Sequence, residues 1–328
     1  MKHVFIVMIL LISGTAAAVY MQGCDAHAAS SNDRFAFLLP NISAYHIFKG
    51  NPSSLNPANG YHLYELSTGL FTDYAEKQRL IHVPEGAAIT ATGNGLPDFP
   101  DETILVKTFY YYNDKRDPSK GKKLIETRLL VKNNGQWNAG TYVWNKEQTD
   151  AVLATGSSNT PVSWINKEGT ARNISYHIPS PKDCGTCHNT GNLLMPIGIK
   201  IRNLNINVVR DHDTINQLRF FQQTGIMKTT GPAHFDQLPA WQNNTLSLEE
   251  RVRAYLDVNC AHCHSDKGSC PQSRVRFGWD LSFEDTRITG NTNRIIKMLS
   301  KGRMPRIGTT IIDEEAVALI TTYLKTLK

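Results

Sequence analysis

Cys184-Gly185-Thr186-Cys187-His188 and Cys260-Ala261-His262-Cys263-His264 share one spacing, C-x-x-C-H. Two thiols three positions apart can add across the two vinyl groups of a haem. The His that follows them sits on the same turn and can face the iron. The expected chemistry is covalent attachment of two haem c groups. Cys184, Cys187, Cys260 and Cys263 would be the attachment points, and His188 and His264 the proximal iron ligands. Two C-x-x-C pairs could instead build a Cys₄ zinc site. Zinc ribbons usually set their pairs closer together, and nothing in zinc chemistry asks for a His after both pairs. A thioredoxin-like dithiol would follow a strand in a βαβ unit, and neither pair has that setting.

Each iron has a second axial position. For the second motif, Met304 lies 40 residues beyond His264, enough chain to wrap a macrocycle and reach its far face. A thioether opposite His favours reduced iron and raises the potential. Core filling is the plain alternative for a Met. For the first motif the ligand stays open. Met195 follows His188 by seven residues and His177 precedes Cys184 by seven; such a stretch spans at most about 25 Å when extended. Lys77, His46, His62, His82, His212 and His234 are remote candidates, and so is a vacant position. His262, between the two thiols of its motif, reads as solvent-facing or propionate-contacting rather than ligating.

Residues 30 to about 60 are rich in Asn, Pro, Ser and Gly and read as surface chain. From Tyr61 to about Ile178 the signal is β. Runs at Ile104–Tyr110, Thr127–Val131, Thr141–Trp144 and Pro161–Trp164 are β-branched or aromatic. Turn clusters at Asn133-Asn134-Gly135 and Lys167-Glu168-Gly169 separate them. That pattern predicts an antiparallel β-sandwich-like domain, or else a sheet packed on the first haem. Beyond Cys184 helices are expected. One starts at an Asp213 N-cap and stops at Gly225. One starts at the Ser247 capping box and runs into Cys260. A last one runs from Asp313 to Leu327, with Ala316, Leu319, Ile320, Tyr323 and Leu324 on one stripe. The fold class is therefore α+β. The division is 1–28 signal peptide, 29–183 β-rich domain, 184–246 first haem-binding segment and 247–328 haem domain.

Lys2 and His3 precede an apolar stretch from Val4 to Met21, the pattern of a secretory signal. Haem attaches to such motifs after export, so the two signals agree. Two cleavage points compete. An imperfect lipobox ends at Cys24, whose thiol would carry a lipid anchor, and Ala26-His27-Ala28 suits ordinary signal peptidase. The expected location is the periplasm, with membrane anchoring through Cys24 if the lipobox is used. Cys270 is left over as a free thiol, an intermolecular disulfide or a small buried hydrophobe. A net charge of +6 without a Lys/Arg block gives no reason to expect nucleic-acid binding.

The order of helix from Ser247, motif, loop, Met304-Pro305 and helix from Asp313 resembles class I cytochrome c. The resemblance implies His264 as proximal and Met304 as distal ligand, with the flanking helices crossing beside the haem. Further fragments occur in order. They are Leu70-Phe71-Thr72-Asp73-Tyr74-Ala75, Glu126-Thr127-Arg128-Leu129-Leu130, Tyr142-Val143-Trp144-Asn145, Pro196-Ile197-Gly198, Arg202-Asn203-Leu204-Asn205, Asn216-Gln217-Leu218 and Asn259 ahead of the second motif. Together they resemble a bacterial family of exported dihaem c-type cytochromes over roughly residues 60–328. The resemblance implies export, two haems and electron transfer; it supplies no substrate.

The expected function is electron transfer between redox partner proteins in the periplasm or at the membrane. The alternative is a dihaem oxidoreductase, peroxidase-like or acting on a small oxyanion, with haem 1 catalytic and haem 2 a relay. A third reading makes the β domain a docking module for another surface protein.

Overall fold

The fold was derived from a computed structural model, which describes residues 38–327 apart from Ala233. The expected signal sequence, Cys24 and Ala26-His27-Ala28 lie outside these residues. No helix of the described residues is long and apolar enough to cross a membrane.

The chain folds as α+β. Its first half holds strands β1 (Tyr61–Leu63), β2 (Glu76–His82), β3 (Ile89–Ala91), β4 (Ile104–Tyr112), β5 (Lys122–Asn133), β6 (Gln136–Trp144), β7 (Ala151–Leu153), β8 (Ser158–Ile165) and β9 (Ala171–Ile178). Then come α1 (Pro181–Cys187), β10 (Asn189–Thr190), β11 (Leu193–Leu194), α2 (Ile201–Leu204), β12 (Asn207–Arg210), β13 (Asp213–Asn216), α3 (Gln217–Gln223) and β14 (Met227–Thr229). Helices α4 (Leu248–Asn259), α5 (Thr292–Ser300) and α6 (Glu314–Thr326) close the fold.

Six strands form one antiparallel sheet in the order β1-β2-β4-β5-β6-β7. The Asn134-Gly135 turn between β5 and β6 has both residues at positive φ, the geometry whose twist matches a two-residue hairpin. Alternation gives the sheet two faces. One carries Leu80, Val106, Leu129, Tyr142 and Trp144, buried under Ile42, Ile47 and Leu55. The other carries apolar groups at its two ends. Ile81 and Leu105 join a cluster with Ile199, Ile201, Leu204, Leu218 and Phe221. Phe109 and Tyr111 join Val162, Trp164 and Tyr176 of the β8–β9 hairpin.

A full second sheet, as a sandwich would need, is not what covers this face. The β8–β9 hairpin covers one end, and the segment carrying the first motif covers the rest. That segment shares its core with the sheet. Burying each large side chain here contributes on the order of 1.5–3 kcal/mol, so sheet and segment stabilise one another.

Helices α4 and α6 form where expected. Ser247 and Glu250 cap α4 reciprocally, and Asp313 caps α6 by accepting from Ala316 N. Leu256 and Tyr323 fall in one core with Val252, Ile295 and Ile320. Helix α5 was not foreseen. The helix expected from Asp213 starts later. Asp213–Asn216 pairs with β12 as a hairpin, because Thr214 and Ile215 suit a strand. Asn216 is the actual cap, its side chain accepting from Leu218 N and Arg219 N.

The segment from Ser67 to Asp73 ties the two halves together. Thr68 N donates to Asn203 Oδ1 (2.9 Å), and Asn203 Nδ2 donates back to Thr68 O (3.0 Å). Phe71 N donates to Asn259 Oδ1 at 2.7 Å, fixing the end of α4 one residue before the second motif. Gln217, fully buried, bonds the main chain of Glu65 in both directions. Arg202, also buried, reaches Asp280 in a two-pronged ion pair. Of these, Arg202, Asn203, Gln217 and Asn259 belong to the quoted fragments, and each ties one segment to another.

Candidate haem-binding site

The first motif occupies α1 and the residue after it. Ser180 and Asp183 form a capping box and Pro181 opens the helix, so a short sequence nucleates a turn that isolated chain would not hold. Cys184 and Cys187 therefore sit one turn apart, and His188 is the helix C-cap. The chain then folds into the tight β10–β11 hairpin. The hairpin brings Met195 back to His188: Met195 N donates to His188 O, and His188 Nδ1–H donates to Met195 O, both at 2.8 Å.

The second motif begins at the C-terminal end of α4. His264 N returns to Cys260 O at 2.9 Å, the same one-turn closure as His188 N to Cys184 O. His264 Nδ1 is hydrogen-bonded to Ser273 Oγ at 2.9 Å, and its ring packs edge-on against Phe277. The loop beyond the motif is tight. Cys270 N donates to Cys263 O, and an added Cβ on Gly268 would stand 2.5 Å from Cys263 O and 2.6 Å from His262 O. Gly268→Ala should therefore displace the motif turn, at a cost of about 1–3 kcal/mol. The expected result is a lower denaturant midpoint and impaired haem attachment at the second motif alone; unchanged stability would contradict this geometry.

The two motifs face each other. Cys187 Sγ, Cys263 Sγ and a ring nitrogen of His262 all lie within 4.8 Å of one another. Gly191 N, at the tip of the β10–β11 hairpin, donates to Lys267 O of the second motif's loop. Of the two readings given for His262, the solvent-facing one does not describe it. It is half-buried between the motifs, and its Nδ1 is buried with no hydrogen-bond partner among the described residues. The Cys263 thiol is held below its ordinary range, first by the adjacent Cys187 and also by His262.

These residues fit covalent haem. All four motif thiols are free. In each motif His the Nδ1 is occupied by a hydrogen bond, which fixes the ring and leaves Nε2 for a metal. Burial pushes His188 down to about 3 and lowers His264 as well, so both rings are neutral donors at ordinary pH. The three-residue Cys187–His262–Cys263 group takes one thiol from one motif and a thiol and a ring from the other. It leaves out Cys184 and Cys260 and so is not the Cys₄ arrangement that two C-x-x-C pairs would build.

The distal candidates fare differently. Met195 is tied by its main chain to His188, and its side chain packs toward the core holding Phe99 and Trp137. His177 bonds Asn159 Oδ1 across the β8–β9 hairpin at 3.0 Å and lies 3.9 Å from Asp183. His62 and His82 sit at the β1–β2 edge, His82 bonding Gly60 O. Met304 lies partly buried in the loop between α5 and α6. That loop is held by Asp73, whose buried carboxylate accepts from Thr310 N (2.8 Å), Thr310 Oγ1 (2.7 Å) and Ile311 N (3.2 Å).

One set of residues escaped the sequence reading. Arg79, Lys107, Arg128 and Thr141 are direct register partners across β2, β4, β5 and β6. Lys77, Phe109 and Glu126 form the next row on the same face. The row ends under the first motif, with Thr141 Oγ1 3.9 Å from Cys184 Sγ. Lys107 and Arg128 are near enough to lower His188 further. Burial first, and the neighbouring cations next, push Lys107 well below its ordinary range and Lys77 down to about 7. The sequence signal was Lys107 within ILVKTFYYY, in phase with Leu105 and Phe109: a charge on the inward face of a strand.

Cys270 is buried and disulfide-bonded, which removes the free-thiol reading. No protein-family model, curated protein or solved structure matches this chain.

Proposed function

We propose that this chain is an exported dihaem c-type cytochrome that passes electrons between redox partner proteins in the periplasm or at the membrane. The observation that carries the reading is the pairing of two C-x-x-C-H turns. Each has free thiols and a His whose Nδ1 is already hydrogen-bonded, and the two stand side by side.

Bound haem supplies reversible one-electron chemistry. The chain's residues do the rest. Cys184 with Cys187, and Cys260 with Cys263, hold the two groups by thioether bonds. His188 and His264 offer Nε2 to the irons, steered by Met195 O and Ser273 Oγ. The adjacency of Cys187 and Cys263 keeps the two groups close, which favours transfer between them. The packing of α4 on α6 and the common core that holds Leu256 and Tyr323 support a class I cytochrome c-like module around the second motif, in which Met304 would be the distal ligand.

Asp73 has a positioning role in this account, since it holds the loop that carries Met304. Asp73→Ala should free that loop and weaken Met304 ligation. The weak near-infrared sulfur-to-iron absorption of the oxidised holoprotein should fade while the haem content stays at two. A band of full intensity would show that Asp73 does not position Met304.

Low-temperature EPR of the oxidised holoprotein tests the functional reading. Two low-spin signals are expected of an electron carrier. A high-spin signal from one haem, shifted by an added small ligand, would instead favour the oxidoreductase.

A further inference from the structure

We propose that Arg79, Lys107 and Arg128, with Lys77 beside them, form an anion-binding face next to the first motif, built to take carboxylate or oxyanion groups. The inference rests on the haem reading only for what lies above this face. Its own basis is the register of the sheet.

Arg79, Lys107 and Arg128 are consecutive cross-strand partners, and adjacent strands lie about 4.8 Å apart. Like charges directly opposite one another on a sheet are destabilising. Here three stand in one row with a fourth, Lys77, in the next. Against the four cations the same face offers one buried carboxylate, Glu126. Its Oε1 already accepts from Arg128 Nη2 and from the Tyr176 hydroxyl. Among the described residues Lys77 Nζ donates only to Ala75 O. No hydrogen bond, and no ion pair within 4 Å, reaches the head group of Arg79 or Lys107 among the described residues; Lys107 merely rests on the Phe109 ring, 5.0 Å from its centre. Arg128 Nε is buried without a partner. All four residues keep some exposed surface. A surplus of cations is costly in such a place unless an anion joins them.

Two sources could supply that anion. One is the pair of propionate carboxylates of the first haem, in which case the row sets that haem's orientation and potential. The other is a small free oxyanion beside the haem, the substrate in one form of the oxidoreductase alternative. The variants that separate them are Lys107→Gln, Arg79→Gln and the charge-keeping Lys107→Arg.

Purified holoprotein would be titrated calorimetrically with nitrite, sulfite and inorganic phosphate in turn, and the potentials of both haems recorded. If the anion is free, one probe binds at a single saturable site. Its affinity then falls at least tenfold in Lys107→Gln and Arg79→Gln and returns in Lys107→Arg. If the anion is a propionate, no probe binds, and the first haem's potential alone falls in the Gln variants, because a lost cation no longer favours the reduced form. Lys107→Arg restores it. Should no probe bind while both potentials stay unchanged in every variant, the proposal is overturned. The mass of the same samples reports covalent haem, so failure of the haem reading is seen separately from failure of the anion face.

Discussion

Met304→Ala should convert one of the two haems from low-spin to high-spin and lower its reduction potential, leaving the other haem as it was. In this account Met304 would supply the second ligand of the second haem, and thioether ligation favours reduced iron. The loop that carries it is short of regular structure and depends on outside support. That support is the Asp73 carboxylate, which gathers Thr310 and Ile311 from the far end of the chain. Removing the sulfur leaves the loop anchored, so the effect should be electronic rather than structural. Optical spectra of both redox states and a potentiometric titration read it directly. If the spin state of neither haem changes, Met304 is only core filling.

Glu126→Ala should be the most damaging single change outside the motifs. Glu126 is fully buried and bonds Arg128 Nη2 at 2.5 Å and the Tyr176 hydroxyl at 2.6 Å. It is the one carboxylate within the cationic rows. Breaking a buried ion pair by removing one partner costs about 3–5 kcal/mol, since the other charge is left uncompensated. The loss should appear as a lower denaturant midpoint of the holoprotein. Glu126→Gln keeps an acceptor for Tyr176 but loses the charge, and should fall between. A midpoint unchanged in Glu126→Ala would mean that the cations are balanced by something else, the first haem's carboxylates being the nearest candidate.

The parts of this molecule set by local chemistry were legible in the sequence. The Ser247–Glu250 capping box, the Asp313 cap and the stripe on α6 act within a turn or two, and each is where its residues imply. The strand runs at Ile104, Thr127, Thr141 and Pro161 were legible for the same reason. Their boundaries were not, since pairing extends a strand beyond its most β-prone residues, as β5 shows by running from Lys122 to Asn133. Asp213 misled because a helix cap and a hairpin start share residue types. Tertiary pairing with β12 decided between them.

The motif residues of the site were also legible, because the C-x-x-C-H spacing is itself a local geometry. What surrounds them was not. His262 lies between the motifs because two turns 76 positions apart meet, and no spacing rule announces that. Met195 looked like a distal candidate by its distance along the chain. The β10–β11 hairpin also ties its main chain to His188, a contact that distance along the chain does not announce. The cationic row needed the cross-strand register of four strands before Arg79, Lys107 and Arg128 could be seen as neighbours.

The central claim is that two haems are covalently attached at paired motifs. Intact-mass measurement of the protein, produced in cells competent for c-type haem maturation, tests it most directly when run beside a haem-iron and zinc assay. The account predicts a mass increase of two haems, two irons per chain and no zinc. A chain with no added haem and one bound zinc, held by Cys187, His262 and Cys263, would contradict it.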